Sequence, residues 1–312
     1  MKALVCGEAL IDLVKQPDGS WIAHNGGGPL NTAKALAKLD KKVEFLGRIA
    51  TDPFGEQLRG DLASSSVATK QVVAAAEPTS LAVVELENDG RATYSFYLKN
   101  TSNFCWRDTE LPADIAEFDL LHIGTLALVI EPGREVLFDW LARNHQSALV
   151  MLDLNIRPSV ISNPDEYRKL VEPWLEFGDI LKVSDEDLNF LYPEKTWSEV
   201  VAIYFAQTNL SLIAVTLGSE GAVLLTRNTK VQLPTPLVKV VDTVGAGDTF
   251  SAGLLAKLDS IGRLAKSHLS QLDEGALEAI LKFAIAAAAL NCTKAGAAPP
   301  TEAEVLEALN GN

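Results

Sequence analysis

Short apolar runs separated by stretches of helical spacing are what most narrows the folds open to this chain. ALVCG, VEFLGRIA, LLHIG, ALVMLDLN, DILKVS and LIAVTLG show little polar alternation, the pattern of strands covered on both faces. Between them, residues 29–39, 53–64, 134–144 and 165–177 carry apolar residues at helical spacing, with Pro29 and Pro53 at permissive first-turn positions. Strand, helix and parallel strand in succession require crossovers, so the chain predicts an α/β sandwich: a mostly parallel central sheet with helices on both faces. GAVLLT reads as a further strand, and 247–258, 277–290 and 301–309 as further helices.

Three segments depart from that rhythm. Trp21 to His24, Ser80 to Glu87 and Arg91 to Leu98 alternate or favour aromatic and β-branched residues, and Asn88-Asp89-Gly90 supplies a hairpin turn between the last two. They predict a small sheet separate from the main one. With 312 residues the chain has room for one large α/β domain carrying such an appendage.

The formal net charge of -14 repels a phosphate backbone and speaks against a nucleic-acid partner. Cys6, Cys105 and Cys292 are too scattered for a disulfide framework or a metal site, and read as thiols in a reducing compartment, the cytoplasm. The apolar start is broken early by Gly7 and Glu8, too short for a signal peptide. The run Ala284 to Leu290 is far short of the roughly 20 residues a membrane span needs.

Chemistry concentrates in VVDTVGAGDTFSAGLLAKL. Gly245-Ala246-Gly247 stands between a β-branched run and an amphipathic one, so it predicts a turn that opens a helix with free amides. Amides at a helix start, with the positive end of the helix dipole, cradle a phosphate whose charge is shifting. Asp248 follows directly, and a hydroxyl held by its carboxylate would sit beside the phosphorus it attacks, the role of a general base. A plain helix cap on a tight turn is the competing reading. The dinucleotide fingerprint is a poor rival, because Phe250 occupies the place of its third glycine.

DTVGAGDTFSAG resembles the carboxyl-terminal signature of the ribokinase-like, or PfkB, carbohydrate kinases, and NGGGPLNTAKALAKLDKKVEFLGRIATDPFG resembles their amino-terminal glycine-rich segment. The resemblance implies one kinase domain over 1–312, with a β-sheet lid drawn from about 12–25 and 79–104. It implies that Asp12, trailing the first strand, grips the acceptor sugar with Gly27, Gly28 and Asn31. DLNIRP ends a core strand where ligands gather in α/β sheets, and places Arg157 to steady the phosphate, an ordinary surface salt bridge being the alternative.

For ATP, the resemblance points to TLGSEG, with Thr216, Gly218 and Gly221, and to Lys182, Ser184 and Gly247. Where the family has an asparagine and a glutamate three apart near magnesium, this chain has Ser184 and Asp187, with Glu186 available to compensate. A potassium-like ion would fall to Asp242, Val244, Asn291 and Gly296. GEALIDL, GGGPLN and RATYSFYL look most like bacterial fructokinases, which implies phosphorylation of D-fructose on its 6-hydroxymethyl group. Tyr94 or Phe96 would reach the sugar or pack across strands. Ribokinase, 2-keto-3-deoxygluconate kinase and nucleoside kinase activities are the alternatives, and a non-catalytic sugar sensor is the alternative of another class. An exposed lid sheet would also suit a homodimer.

Overall fold

The computed structural model describes residues 1–86 and 92–311. In chain order its strands are β1 (Lys2–Cys6), β2 (Leu10–Lys15), β3 (Trp21–Gly26), β4 (Lys42–Ala50), β5 (Val72–Ala75), β6 (Leu81–Leu86), β7 (Ala92–Tyr97), β8 (Leu120–Gly124), β9 (Leu149–Asp153), β10 (Ile180–Ser184), β11 (Leu212–Thr216), β12 (Ala222–Leu225) and β13 (Lys230–Leu233). The α-helices are α1 (Gly28–Lys38), α2 (Pro53–Ser64), α3 (Gly133–Asn144), α4 (Pro164–Val171), α5 (Asp185–Leu191), α6 (Trp197–Gln207), α7 (Ala246–Ser260), α8 (Lys266–Leu269), α9 (Glu274–Asn291) and α10 (Glu302–Asn310).

The main sheet has nine strands in the order β13-β12-β11-β10-β9-β8-β1-β4-β5, all in one direction except β12, which pairs antiparallel with both β11 and β13. Its apolar runs sort by alternation. Val5, Phe45, Met151 and Ala214 face the core shared with α1, α7 and α9, while Leu4, Leu121, Leu152 and Ile213 face the core on the α3 to α6 side. Each fully buried Leu, Ile or Phe contributes about 1.5–3 kcal/mol by leaving water, so both helical layers are held firmly to the sheet. This is the α/β sandwich the sequence predicts.

A second sheet of four strands runs β3-β2-β6-β7, mixed because β2 and β6 pair in parallel. Register puts Asp12 beside His24 and Ala82, and Ala82 beside Phe96, on one face. Leu10, Ala82 and Phe96 pack there with Phe104 and Leu126, which seats this sheet over one end of the main one. The hairpin turn expected at Asn88-Asp89-Gly90 lies outside the described residues.

Two expectations change. The helix expected over 165–177 stops at Val171, and Glu172–Glu176 tightens into a 3-10 turn, because Pro173 has no amide to continue the α ladder. Asp12 does not sit just past the end of the first strand, which stops at Cys6; it lies inside β2 of the small sheet. No helix among the described residues is long and apolar enough to cross a membrane.

Candidate active site

Parallel strands deliver their carboxyl ends to one edge of the sheet, and there Gly124, Asp153, Ser184 and Thr216 end β8, β9, β10 and β11. The starts of α1 and α7 meet over this edge. α7 begins after Gly245, whose φ of 74° is a left-handed conformation suited to glycine, and no side chain caps its first turn. The Ala246 amide donates to the Thr243 carbonyl at 3.2 Å, and the remaining first-turn amides have no side-chain cap, as the glycine turn implies.

Asp248, in that first turn, is buried and accepts a hydrogen bond from the Asn31 amide at 2.9 Å. Burial pushes its carboxyl up to about 6; the charge of Asp153 adds to the effect, while Asn31, Lys182 and Arg157 oppose it. Gly28 makes the approach possible: a methyl group on it would stand 2.9 Å from Thr125 Cγ2, 3.1 Å from Asn155 Nδ2 and 3.2 Å from Asp248 Oδ1. Gly27 packs on the Glu8 carbonyl, and Asp12 lies against Gly26. Burial raises the Asp12 carboxyl to about 6, against the pull of Arg157.

Arg157 makes no ion pair with any described residue. Its backbone amide donates to the Tyr167 hydroxyl at 3.1 Å and its guanidinium to the Ile156 carbonyl at 3.1 Å. Its charge acts on Glu8, Asp12 and Asp248 together, which makes it a cation shared by the three acids of this hollow.

Lys182 lies under the glycine turn, its Nζ 3.0 Å from where a Gly247 side chain would begin. It is held by a buried ion pair to Asp153 Oδ1 at 3.1 Å, and Ser251 Oγ donates to the other Asp153 oxygen at 3.2 Å. Burial alone would lower the Lys182 ammonium, but Asp153, Asp187 and Asp248 together keep it above the usual lysine range.

On the far side of the turn a cleft of about 460 Å³ opens. Phe250, Ile285, Ala288, Ala289, Leu237 and Val238 give it apolar walls, and Gly247, Thr216, Gly218, Gly221, Ser184, Asp185 and Glu186 rim it. A flat base against the apolar walls would point its phosphates at the α7 amides. Asp187 is not in this lining. It forms a capping box with Ser184, whose Oγ accepts from the Asp187 amide at 2.9 Å; the Asp187 carboxylate accepts from the amides of Ser184 at 3.0 Å and Ile156 at 2.9 Å. The acids that face the cleft from this turn are Asp185 and Glu186.

Asp242, Val244, Asn291 and Gly296 are brought together behind the turn. Asp242 accepts from the amides of Val244 at 3.0 Å and Gly296 at 2.8 Å, and Asn291 Nδ2 donates to the Val244 carbonyl at 2.8 Å. The Asn291 amide oxygen is buried without a partner.

Sequence reasoning assigned no role to Glu8, Thr125, Asn155 or Asp153. Asp153 and Asn155 lie within DLNIRP and Glu8 within GEALIDL, so their neighbourhoods carried a signal; Thr125 had none.

The topology, an amide cradle and a buried carboxylate meeting at the end of a nucleotide-sized cleft define the class of ribokinase-like small-molecule kinases. The model of the pfkB family carbohydrate kinases matches residues 2–304, so the chain belongs to that family and is a sugar kinase. The fructokinase of Rhizobium leguminosarum bv. trifolii is 36% identical over 278 residues, 88% of this chain and 85% of that protein. The structure of Xylella fastidiosa fructokinase with bound ATP aligns with a TM-score of 0.89 at 28% identity, over 99% of this chain and 98% of that one. Fructokinase from Vibrio cholerae O395, in fructose, ADP and calcium ion bound form, aligns with a TM-score of 0.84 at 28% identity, over 98% and 97%.

Proposed function

We propose that this protein transfers the γ-phosphoryl group of ATP to the 6-hydroxymethyl group of D-fructose, with Asp248 as general base. The observation that carries the reading is the buried Asp248 carboxylate one residue from the uncapped α7 amides, with Gly28 leaving open the space in front of its Oδ1. The choice of fructose is supported by the relatives named above, among them a protein with fructose and ADP bound.

In this mechanism Asp12, Gly27, Gly28 and Asn31 bind the sugar, and Asn31 also orients Asp248. Asp248 takes the proton of the attacking hydroxyl as the oxygen meets phosphorus. The amides of Gly245 and Gly247, and that of Ala246 once it leaves the Thr243 carbonyl, balance the charge that gathers on the phosphoryl oxygens, with Lys182 beneath and Arg157 beside them. The small sheet would act as a lid that excludes water. Tyr94, stacked with Phe96 at 6.0 Å, is close enough to Asp12 and Arg157 to feel their charges, which supports its place at the pocket rim.

Among the described residues no group of three or more acidic, His or Cys side chains could cage a metal. Mg²⁺ would come in on the ATP phosphates, with Asp185 and Glu186 at the cleft rim and water completing its shell. Such an ion would screen the phosphate charge from the incoming oxygen. The unpartnered Asn291 oxygen beside the Val244 carbonyl and the Asp242 carboxylate fits a K⁺-like ion, and a double mutant of the Vibrio enzyme has fructose, ADP and potassium ion bound. We also place the protein in the cytoplasm, as a homodimer paired through the small sheet, where Trp21, Ile22 and Tyr97 are 44%, 46% and 61% exposed.

The test is ADP release with Mg²⁺ and K⁺ across fructose, ribose, 2-keto-3-deoxygluconate and adenosine. Fructose should give the highest kcat/KM. Faster turnover of another acceptor would overturn the substrate, and no turnover on any would favour a sensor.

A further inference from the structure

Glu8 follows β1, an interior strand of the main sheet between β8 and β4, and is only 2% exposed. One of its carboxyl oxygens accepts a short hydrogen bond from the Thr125 hydroxyl; the other is buried without a partner. A carboxyl group is costly to bury with so little compensation, and an apolar residue would serve packing better. Thr125 is itself in an unfavourable state. Its φ of 61° lies in the left-handed region, which a β-branched side chain rarely adopts.

These two features meet at the acceptor pocket. The Thr125 methyl, the Asn155 amide and Asp248 Oδ1 all border the point that a Gly28 side chain would fill. Moving Thr125 by a fraction of an ångström therefore changes the space in which a hydroxyl meets Asp248. The Glu8 carbonyl also lies under Gly27, 2.6 Å from where a side chain there would begin.

We propose that Glu8 is a positioning residue for the acceptor, holding Thr125 so that Thr125 forms one wall of the space between Gly28 and Asp248. This rests on the reading of Asp248 as the base. Glu8 does not touch the substrate, because its free oxygen is shielded from solvent. It acts on the acceptor and not on the nucleotide, since the cleft lining includes neither Glu8 nor Thr125. Burial pushes the Glu8 carboxyl up to about 7, against the Thr125 hydrogen bond, its own amide and Arg157, with Asp248 reinforcing the rise. A glutamine is accordingly a close mimic of its neutral form.

The experiment measures KM for D-fructose and for ATP in the full-length enzyme and in Glu8→Ala, Glu8→Gln, Thr125→Val, Thr125→Ser and the Glu8→Ala/Thr125→Val double variant. Misplacement should raise the fructose KM about tenfold or more in Glu8→Ala and Thr125→Val, with the ATP KM unchanged. Glu8→Gln and Thr125→Ser, which keep the hydrogen bond, should stay within about threefold of the parent enzyme. The double variant should be no worse than the worse single one, because both remove the same contact. Multiplying effects, an equal rise in both KM values, or a normal fructose KM in Thr125→Val would overturn the proposal. Should Glu8→Ala fail to fold, Thr125→Val against Thr125→Ser decides. An Asp248→Asn enzyme with full activity would instead overturn the underlying assignment of the base.

Discussion

The side-chain amide of Asn31 donates to Oδ2 of Asp248 at 2.9 Å, a bond between the first turns of two helices 217 residues apart in the chain. It joins the proposed sugar-binding residue Asn31 to the proposed base Asp248. The donor stabilises the ionised form of Asp248 and fixes the direction of its free oxygen.

Replacing Asp248 by Asn keeps the size of the side chain but removes the base. Turnover should fall by about 10² to 10⁴-fold, the usual contribution of general base catalysis. The fructose KM should change little, because an amide still meets Asn31 and the sugar. A turnover within a few-fold of the parent would refute the assigned role.

The acid limb of the pH profile follows from the same carboxylate. Asp248 must be ionised to take a proton, and burial raises it to about 6, so kcat/KM should fall about tenfold per pH unit below that point. Asn31→Ala removes a group that lowers this value and should move the limb to higher pH. A limb that stays in place would show that another group controls it.

Gly28→Ala introduces a methyl 3.2 Å from Asp248 Oδ1 and 2.9 Å from Thr125 Cγ2. Fructose use should drop by about 100-fold, from displacement of the base or of the hydroxyl. The fold should survive, since alanine favours a helix start at least as well as glycine. Kinetics with circular dichroism on the same sample separates the two effects.

Asp187 is predicted to serve the scaffold. Asp187→Ala removes the acceptor for the Ser184 and Ile156 amides and half of the capping box, at a cost of about 1–3 kcal/mol. For a chain of this length that lowers Tm by a few degrees. The Mg²⁺ concentration for half-maximal rate should stay put in Asp187→Ala and rise in Glu186→Ala; the reverse pattern would restore Asp187 as the metal-side residue.

The proposed K⁺-like ion site predicts a cation effect. Asp242→Ala frees the amides of Val244 and Gly296 and loosens the loop behind Gly245, which packs on Ala297. Activation by K⁺ should be lost while residual activity without K⁺ persists. An unaltered K⁺ response in a titration against Na⁺ and Li⁺ would rule the site out.

The α/β alternation, the glycine turn before α7 and the aromatic segments of the small sheet could all be read along the chain, because strand and helix periodicity and turn chemistry are local properties. That locality also accounts for what stayed hidden. Asp12 stands beside a strand end in sequence yet lies inside β2, since which sheet a short strand joins depends on partners some 70 residues away, such as Ala82. The partnership of Glu8 with Thr125 and of Asp153 with Lys182 and Ser251 arises only when parallel crossovers bring the ends of β1, β8, β9 and β10 beneath α7. Residue types announced a glycine turn with an acid behind it, and the resemblance of the flanking signatures made it a kinase turn. The pairing of buried charges, and the left-handed backbone at Thr125 and Asn155 that shapes the pocket, come from packing, which imposes costs no isolated segment would accept.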